Sequence, residues 1–314
     1  MPESTPSDPL SQLMQGMGIP ETPEDMRKLL DGFAPMLNAG APEVGAVHER
    51  VEVAGAGPGV SADVILPPSP HAEGPWPVLV YLHGGGWICG SPTTHAKLAR
   101  RFAERGYLVF NIDYRLAPEH PFPAPLDDCV AAIRWAGQVA AEYGGDAARL
   151  AVGGDSAGGN LSAAAAVALA DDPSVEIRAA LLIYGVFDFA KLGDDEAISK
   201  LADQPELAAA GDQMIELMAG SYLGADRAAA LLADPRVSPI HAASELPPSH
   251  VVCGTGDPLI AQARDLEAAL REAGVEHEYV EIENMPHGFA QMEFFPQAQQ
   301  AIDAMTSFLK KQLG

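Results

Sequence analysis

The sequence predicts an α/β fold: a mostly parallel eight-stranded sheet that is flanked by helices and carries a helical cap subdomain. Three observations predict it. Apolar strand-like segments alternate with helix-like segments, one long stretch of helical fragments interrupts this alternation, and the candidate chemical motifs follow the ends of predicted strands. Continuous apolar strands that alternate with helices are typical of a parallel sheet covered on both faces.

The first two predicted strands form a hairpin. Residues 47–53 and 60–66 flank a glycine-rich segment at 55–59. A glycine-rich loop that holds a dinucleotide should lead into a helix, whereas this segment leads into another strand. We therefore predict a turn here and no nucleotide site.

Six further strands alternate with helices along the rest of the chain. The predicted strands span residues 77–82, 107–112, 149–152, 178–184, 250–253 and 277–282. The predicted helices span residues 94–105, 126–143, 157–170, 260–272 and 296–312.

Two segments outside this alternation predict the cap. Thr22 and Pro23 are suitable N-cap and first residues for an amphipathic N-terminal helix. Only helical fragments occur between the strands at 178–184 and 250–253, as expected for a lid inserted into the fold. We predict an N-terminal cap segment at 1–45, a cap insertion at 188–235, and a main domain formed by 46–187 and 236–314.

The composition excludes several classes of partner. The 314 residues carry a formal net charge of −24, which disfavours nucleic acid and anionic membranes. No uncharged apolar stretch approaches the ~20 residues of a membrane-spanning helix, and we see no signal peptide. Cys89, Cys129 and Cys253 lack metal-ligand spacing, so we predict neither a metal nor a disulfide framework. We expect a cytoplasmic protein and allow for a homodimer.

One pentapeptide gives the strongest indication of chemistry. Gly154-Asp155-Ser156-Ala157-Gly158 follows an apolar strand and opens an alanine-rich helix. A sharp strand-to-helix turn holds a nucleophilic serine in strained backbone geometry, and small neighbours leave room for the turn and for an acyl group. Ser156 is therefore the candidate nucleophile.

Acyl transfer to a serine also requires a base and an acid that orients the base. His287 follows the last predicted strand and is the candidate base. Asp257 follows the strand before it and is the candidate acid, although an Asp before Pro258 is also typical of a helix N-cap. The order Ser, Asp, His along the chain favours the catalytic interpretation.

The developing oxyanion requires preorganised hydrogen-bond donors. In the run His83-Gly84-Gly85-Gly86-Trp87, Gly84 and Gly85 can bring backbone N–H groups close to a carbonyl oxygen. Ala157 supplies a third N–H directly after the nucleophile. We predict that His83 supports the loop, and this chemistry requires no cofactor.

Together these blocks resemble the hormone-sensitive-lipase-like family of α/β-hydrolases, the bacterial family IV carboxylesterases. The resemblance covers about residues 75–314 and rests on His83–Trp87, the Asp-Tyr-Arg-Leu-Ala-Pro run that opens block 113–128, Gly154–Asn160, Asp257–Leu259 and His287–Phe289. It implies an α/β-hydrolase fold, the triad Ser156, Asp257 and His287, and an oxyanion hole formed by Gly84, Gly85 and Ala157. It also implies a scaffold role for block 113–128, an N-terminal cap, and a preference for short or medium acyl esters.

The chain departs from this family at one place. Members often carry Arg-Asp soon after Asp-Pro-Leu, whereas this chain has Ile260-Ala261, which could alter how the acid loop is held. The candidate pocket residues, for which core packing is an equally good interpretation, are Trp87, Asp155, Phe187, Met218 and Leu223.

The residues indicate a serine carboxylesterase that acts on a small-molecule ester. The same triad would serve a hydrolase of amides, lactones or aryl formamides, because pocket shape and leaving-group protonation decide between these substrates. A ligand receptor on the same fold is the alternative outside enzymes. The presence of both Ser156 and His287 disfavours it.

Overall fold

A computed structural model describes residues 20–68, 74–193, 205–224 and 226–314, with only the backbone described for 205–210. Parts of the predicted cap segments 1–45 and 188–235, namely residues 1–19, 194–204 and 225, lie outside these ranges. The strands are β1 (Ala46–Glu52), β2 (Ser61–Leu66), β3 (Trp76–Leu82), β4 (Leu108–Asp113), β5 (Gly145–Asp155), β6 (Ile177–Ile183), β7 (Ser249–Gly254) and β8 (His277–Ile282).

These eight strands form one sheet in the order β1-β2-β4-β3-β5-β6-β7-β8. Strand β2 pairs antiparallel with both β1 and β4, and every later pair from β4 to β8 is parallel. The predicted mostly parallel sheet of eight strands is confirmed. Because the parallel strands run in one direction, their carboxyl ends lie at one edge, where loops can bring distant residues together.

Helices cover the sheet in two layers. They are α1 (Pro23–Leu37), α2 (Ala96–Glu104), α3 (Ala124–Val139), α4 (Ala157–Ala168), α5 (Pro205–Leu223), α6 (Ala228–Leu231), α7 (Ile260–Ala273) and α8 (Pro296–Leu313). Helices α2 and α8 contact each other, as do α3 and α4, and each pair packs on the central strands. Most residues of β3 to β7 are buried, which explains the apolar runs in these strands.

The glycine-rich segment after β1 is a hairpin connection, as predicted. The amide of Gly57 donates to Asp128 Oδ1 over 3.0 Å, and a Cβ at Gly57 would overlap the guanidinium of Arg115. Arg115 in turn donates from Nε to Asp128 Oδ2 over 2.7 Å. The glycine is therefore required for close approach to a largely buried ion pair that braces the loops of block 113–128.

Helix α1 precedes the sheet and is tied to the loop that follows β3. Thr22 Oγ1 accepts the amide of Asp25, as expected for an N-cap, and the helix continues through Pro35 to Leu37. The Arg27 side chain donates from Nε to the carbonyl of Ile88 over 2.7 Å and forms a bidentate ion pair with Glu119. Helices α5 and α6 lie between β6 and β7, where the cap insertion was predicted.

Within the described ranges, no helix combines the length and the apolar character that crossing a bilayer requires.

Candidate active site

The turn between β5 and α4 holds Ser156 in a conformation that few residues other than glycine adopt. Its φ is 55° and its ψ is −120°, and its amide donates to the carbonyl of Ile183 over 2.8 Å. A Cβ at Gly158 would overlap the carbonyl oxygen of Leu82 and lie 2.6 Å from that of His83. The pattern of small residues around the serine therefore reflects close backbone packing. The positive φ of Ser156 costs about 1–3 kcal/mol of backbone strain.

The three predicted side chains lie in one hydrogen-bonded line. His287 Nε2 is 2.9 Å from Ser156 Oγ, and His287 Nδ1 is 2.8 Å from Asp257 Oδ2. Asp257 is fully buried, whereas 35% of the imidazole surface of His287 is exposed. Because Nδ1 donates to a carboxylate, Nε2 is left unprotonated and can accept the proton of the serine.

The surroundings of His287 favour its protonated form. Burial alone would lower the pKa of His287, but the negative charge of Asp257 and the hydrogen bond to it act in the opposite direction, and Asp155 adds to them. The net result is a pKa raised above its ordinary value. The site therefore stabilises an imidazolium, which is the species that forms when a histidine takes a proton from a serine.

Asp257 makes the contacts that both sequence interpretations require, one to His287 and one to the backbone of the turn. Its Oδ1 accepts the amide of Leu259 over 2.7 Å, so the carboxylate also caps the turn into α7. Backbone hydrogen bonds from Thr255 to Ile282 and from Gly256 to Met285 join the acid loop to the loop that carries His287. These bonds hold the acid loop although Ile260-Ala261 replaces the Arg-Asp of the family, so the departure does not displace the acid.

The oxyanion prediction for Gly84 is wrong. Its amide donates to Asp155 Oδ1 over 3.1 Å and also faces His95 Nε2 at 3.3 Å, so this N–H points beneath the loop. The amides of Gly85, Gly86 and Ala157 have no acceptor within the described ranges of the chain. Gly86, which the sequence analysis did not select, therefore replaces Gly84 as a candidate donor.

Two positive φ angles turn the glycine loop after Gly84. Gly85 has a φ of 122° and Gly86 a φ of 58°, and the carbonyl of Gly85 accepts the amides of Ile88 and Cys89. Only glycine adopts such angles in succession without strain. The run of three glycines thus indicates the reversal, whereas the direction of each amide depends on what lies behind the loop.

His83 supports this loop, as predicted. It is fully buried, stacks on Tyr114 at a centroid distance of 4.2 Å, and donates from Nδ1 to the carbonyl of Gly84 over 2.8 Å. Burial, and then the neighbouring His95, lower the pKa of His83 to about 3. His83 is consequently uncharged and serves the packing of the loop.

The candidate pocket residues occupy different surroundings. A Cβ at Gly86 would overlap Met218 and lie 2.5 Å from its Cγ, which places this side chain of α5 directly over the glycine loop. Trp87 stacks on Tyr222 at 4.7 Å, and Phe187 and Leu223 are buried. Pocket roles for these residues stay predictions.

The pocket prediction for Asp155 is wrong. Its side chain is almost completely buried, and both of its oxygens accept hydrogen bonds from protein groups, namely Tyr81 and Gly84 at Oδ1 and Gln291 at Oδ2. The sequence analysis also missed Tyr184, whose ring lies edge-on to His287 at 5.0 Å. Its position directly after β6 is the signal that could have indicated it.

A serine on a strand-to-helix elbow, aligned with a histidine and a carboxylate at the carboxyl edge of a mainly parallel sheet, defines the class of serine hydrolases with an α/β fold. A family model described as "alpha/beta hydrolase fold" matches residues 79–291. The chain belongs to the α/β-hydrolase family, within the hormone-sensitive-lipase-like branch that its motifs resemble.

Relatives in sequence and structure agree with this membership. The chain is 34% identical over 241 residues to carboxylesterase NlhH of Mycobacterium tuberculosis, covering 76% of this chain and 74% of NlhH. It superposes on a Pyrobaculum calidifontis esterase with a TM-score of 0.84 at 28% identity, covering 98% and 99% of the two chains. An alpha/beta hydrolase from the metagenome of Lake Arreo has a TM-score of 0.83 at 32% identity, covering 96% and 94%.

Proposed function

We propose that this protein is a serine carboxylesterase that forms an acyl-enzyme on Ser156. The observation that carries the proposal is the hydrogen-bonded line from Ser156 through His287 to Asp257, beside three backbone amides that have no acceptor within the described residues. A serine, a base with its orienting acid, and donors for the oxyanion are the groups that acyl transfer requires.

The proposed reaction has two halves. Ser156 Oγ attacks the ester carbonyl while His287 Nε2 takes the hydroxyl proton, and Asp257 stabilises the resulting imidazolium. The tetrahedral intermediate collapses, His287 protonates the departing alkoxide, and the alcohol leaves an acyl group on Ser156. Water then attacks the acyl-enzyme while His287 takes its proton. The bond between the acyl carbon and Ser156 Oγ breaks as His287 returns that proton to Oγ, and the carboxylic acid is released.

The proposed oxyanion hole consists of the amides of Gly85, Gly86 and Ala157. Ala157 begins helix α4, so its amide also carries part of the positive end of the helix dipole. Donors held in advance at the position of the developing charge are worth about 3 kcal/mol each in the transition state. The two glycine amides come from the strand β3 side of the site and the Ala157 amide from the β5 side.

The proposed substrates carry short or medium acyl chains. Helix α5 brings Met218 over Gly86, and the stacked rings of Trp87 and Tyr222 fill the adjacent space. These side chains support a closed wall near the oxyanion hole, which limits the room for a long chain. We assign α1 and α5 to the cap that the sequence predicted at 1–45 and 188–235.

Hydrolysis of p-nitrophenyl esters from two to twelve acyl carbons, compared with an anilide and a lactone, tests this proposal. We expect the highest kcat/KM at eight carbons or fewer, weak anilide and lactone hydrolysis, and no turnover by Ser156→Ala. Faster hydrolysis of the anilide or lactone would instead identify the amidase or lactonase alternative. No turnover of any substrate and no reaction with a fluorophosphonate would favour the receptor.

We also propose that the protein is cytoplasmic and that it forms a homodimer. The free, buried state of Cys89, Cys129 and Cys253 supports a reducing compartment. Fractionation of the source cells tests the location, and light scattering of the purified protein tests the dimer.

A further inference from the structure

A buried polar cluster lies behind the glycine loop and does not touch the serine hydroxyl. Asp155 is at its centre and is 2% exposed. Its Oδ1 accepts the hydroxyl of Tyr81 over 2.7 Å and the amide of Gly84 over 3.1 Å, and its Oδ2 accepts Gln291 Nε2 over 3.2 Å. His95 Nε2 lies 3.4 Å from the same Oδ2.

The outer part of the cluster is equally well connected. His95 is 2% exposed, and its Nε2 lies 2.8 Å from Gln291 Nε2. Its Nδ1 lies 2.8 Å from the hydroxyl of Thr94, which donates to the carbonyl of Ser91. Both edges of the imidazole are therefore held, so the ring presents a fixed polar atom to Gly84 and Gln291.

Asp155 is ionised in these surroundings. Burial alone would raise its pKa, but the neighbouring His95 and the hydrogen bond from the hydroxyl of Tyr81 outweigh burial and lower the pKa to about 2. A buried carboxylate is stable only where donors surround it, so it binds the amide of Gly84 more strongly than a neutral acceptor would.

The cluster joins the three segments that carry the candidate catalytic groups. Asp155 directly precedes Ser156, Gly84 begins the glycine loop, and Gln291 ends the short helical turn Phe289–Gln291 that follows His287. A shift of any one segment would therefore strain the hydrogen bonds to the other two.

We propose that His95 and Gln291 are positioning residues that act through Asp155 to set the direction of the oxyanion-loop amides. With the Gly84 amide turned toward Asp155, the chain reverses at Gly85 and Gly86 and their amides remain available to the oxyanion. Release of the Gly84 amide would allow the flexible glycine run to rotate. This inference rests on the proposed function, because it concerns the oxyanion hole of that reaction.

Two pairs of variants test it in the full-length protein. Gln291→Met is nearly isosteric and removes both hydrogen bonds. Gln299→Met makes the same change at a half-buried glutamine of α8, whose one side-chain hydrogen bond within the described residues goes to Asp303. His95→Leu removes both ring nitrogens and their polar contacts, whereas His95→Gln retains a polar atom that can occupy the position of Nε2.

Four readouts separate positioning from a general loss of structure. For Gln291→Met and His95→Leu we expect kcat on p-nitrophenyl acetate to fall about 10- to 100-fold while KM stays within about threefold. Affinity for an alkyl trifluoromethyl ketone, which mimics the tetrahedral intermediate, should fall by the same factor. Hydrogen exchange of the peptide containing Gly84 should accelerate, and thermal unfolding should still be cooperative.

The controls determine how the results are read. We expect His95→Gln and Gln299→Met to stay within about threefold of the unchanged protein in kcat and ketone affinity. The inference is overturned if Gln291→Met and His95→Leu retain kcat, or if kcat and KM change equally with no change in exchange at Gly84. If the unchanged protein neither hydrolyses esters nor binds the ketone, the proposed function fails, and exchange at Gly84 still tests the positioning.

Discussion

Replacement of Asp257 by asparagine perturbs the site with almost no change of shape. Both carboxylate oxygens accept N–H donors, Oδ1 from Leu259 at 2.7 Å and Oδ2 from His287 at 2.8 Å. An amide offers one acceptor oxygen and one NH2 group, so it cannot satisfy both donors. The orientation that asparagine takes then decides which function is lost.

The imidazole of His287 can change tautomer to suit an asparagine at position 257, whereas the backbone N–H of Leu259 can only donate. If the NH2 group faced Leu259, a buried amide donor would lose its acceptor, at a cost of about 1–3 kcal/mol in stability. If it faces His287, the ring changes tautomer, and Nε2 then carries a proton toward Ser156 and cannot act as a base. We expect the second orientation, with kcat/KM reduced roughly a thousand- to ten-thousandfold and the free energy of unfolding changed by less than about 1 kcal/mol.

Steady-state hydrolysis of p-nitrophenyl acetate, together with urea unfolding, measures both quantities. Asp188→Asn is the matched control, because this buried carboxylate also follows a strand and caps a short helix, through a single oxygen that accepts the amide of Ala190. An asparagine there retains the needed acceptor and should keep kcat/KM within about threefold. An Asp257→Asn protein within tenfold of the unchanged enzyme would refute the assignment of the acid.

Three further outcomes follow from the described contacts. In urea titrations, Gly158→Ala should lower the free energy of unfolding by about 1–3 kcal/mol, because the new Cβ would overlap the carbonyl of Leu82. Gly32→Ala in α1 is the control: its Cβ meets open space, and the better helix propensity of alanine should raise the free energy of unfolding by about 0.5–1 kcal/mol. The pH profile of kcat/KM should fall on acidification through a pKa above 6.5, since His287 must be neutral to act as a base and its pKa is raised; a midpoint below 6.5 contradicts this. Burial lowers the pKa of His250 to about 4, so on acidification the unfolded chain binds a proton before the folded chain does, and the free energy of unfolding falls as the pH drops below 6.5. Between pH 7 and pH 5 the His250→Leu protein should therefore lose about 2 kcal/mol less free energy of unfolding than the unchanged protein. An equal loss in the two proteins would contradict the assignment of this pH dependence to His250.

Local chemistry made much of the site predictable from sequence. The elbow could be predicted because strand, small residues, serine and helix are contiguous, and the glycines pack against backbone that any such turn must approach. The two interpretations of Asp257 are compatible in the fold, since a carboxylate has two oxygens and each accepts its own donor. Strand-end positions identified His287 because parallel strands deliver their carboxyl ends to one edge.

The direction of single amides could not be predicted in the same way. A run of glycines indicates a tight reversal but permits several amide directions, and the one observed at Gly84 depends on Asp155, 71 residues away in sequence. The partners of that carboxylate, His95 and Gln291, are separated by 196 positions and carry no shared motif. The misassignment of both Gly84 and Asp155 therefore has one physical cause, a buried contact that only the folded chain creates.

Covalent trapping of the nucleophile tests the central claim most directly. The protein would be treated with one equivalent of an alkyl fluorophosphonate, and the site of the adduct would be located by peptide mass spectrometry. We expect a single adduct on Ser156 and a loss of esterase activity in proportion to labelling. An active protein whose adduct lies on another residue, or whose activity survives complete labelling of Ser156, would contradict the account.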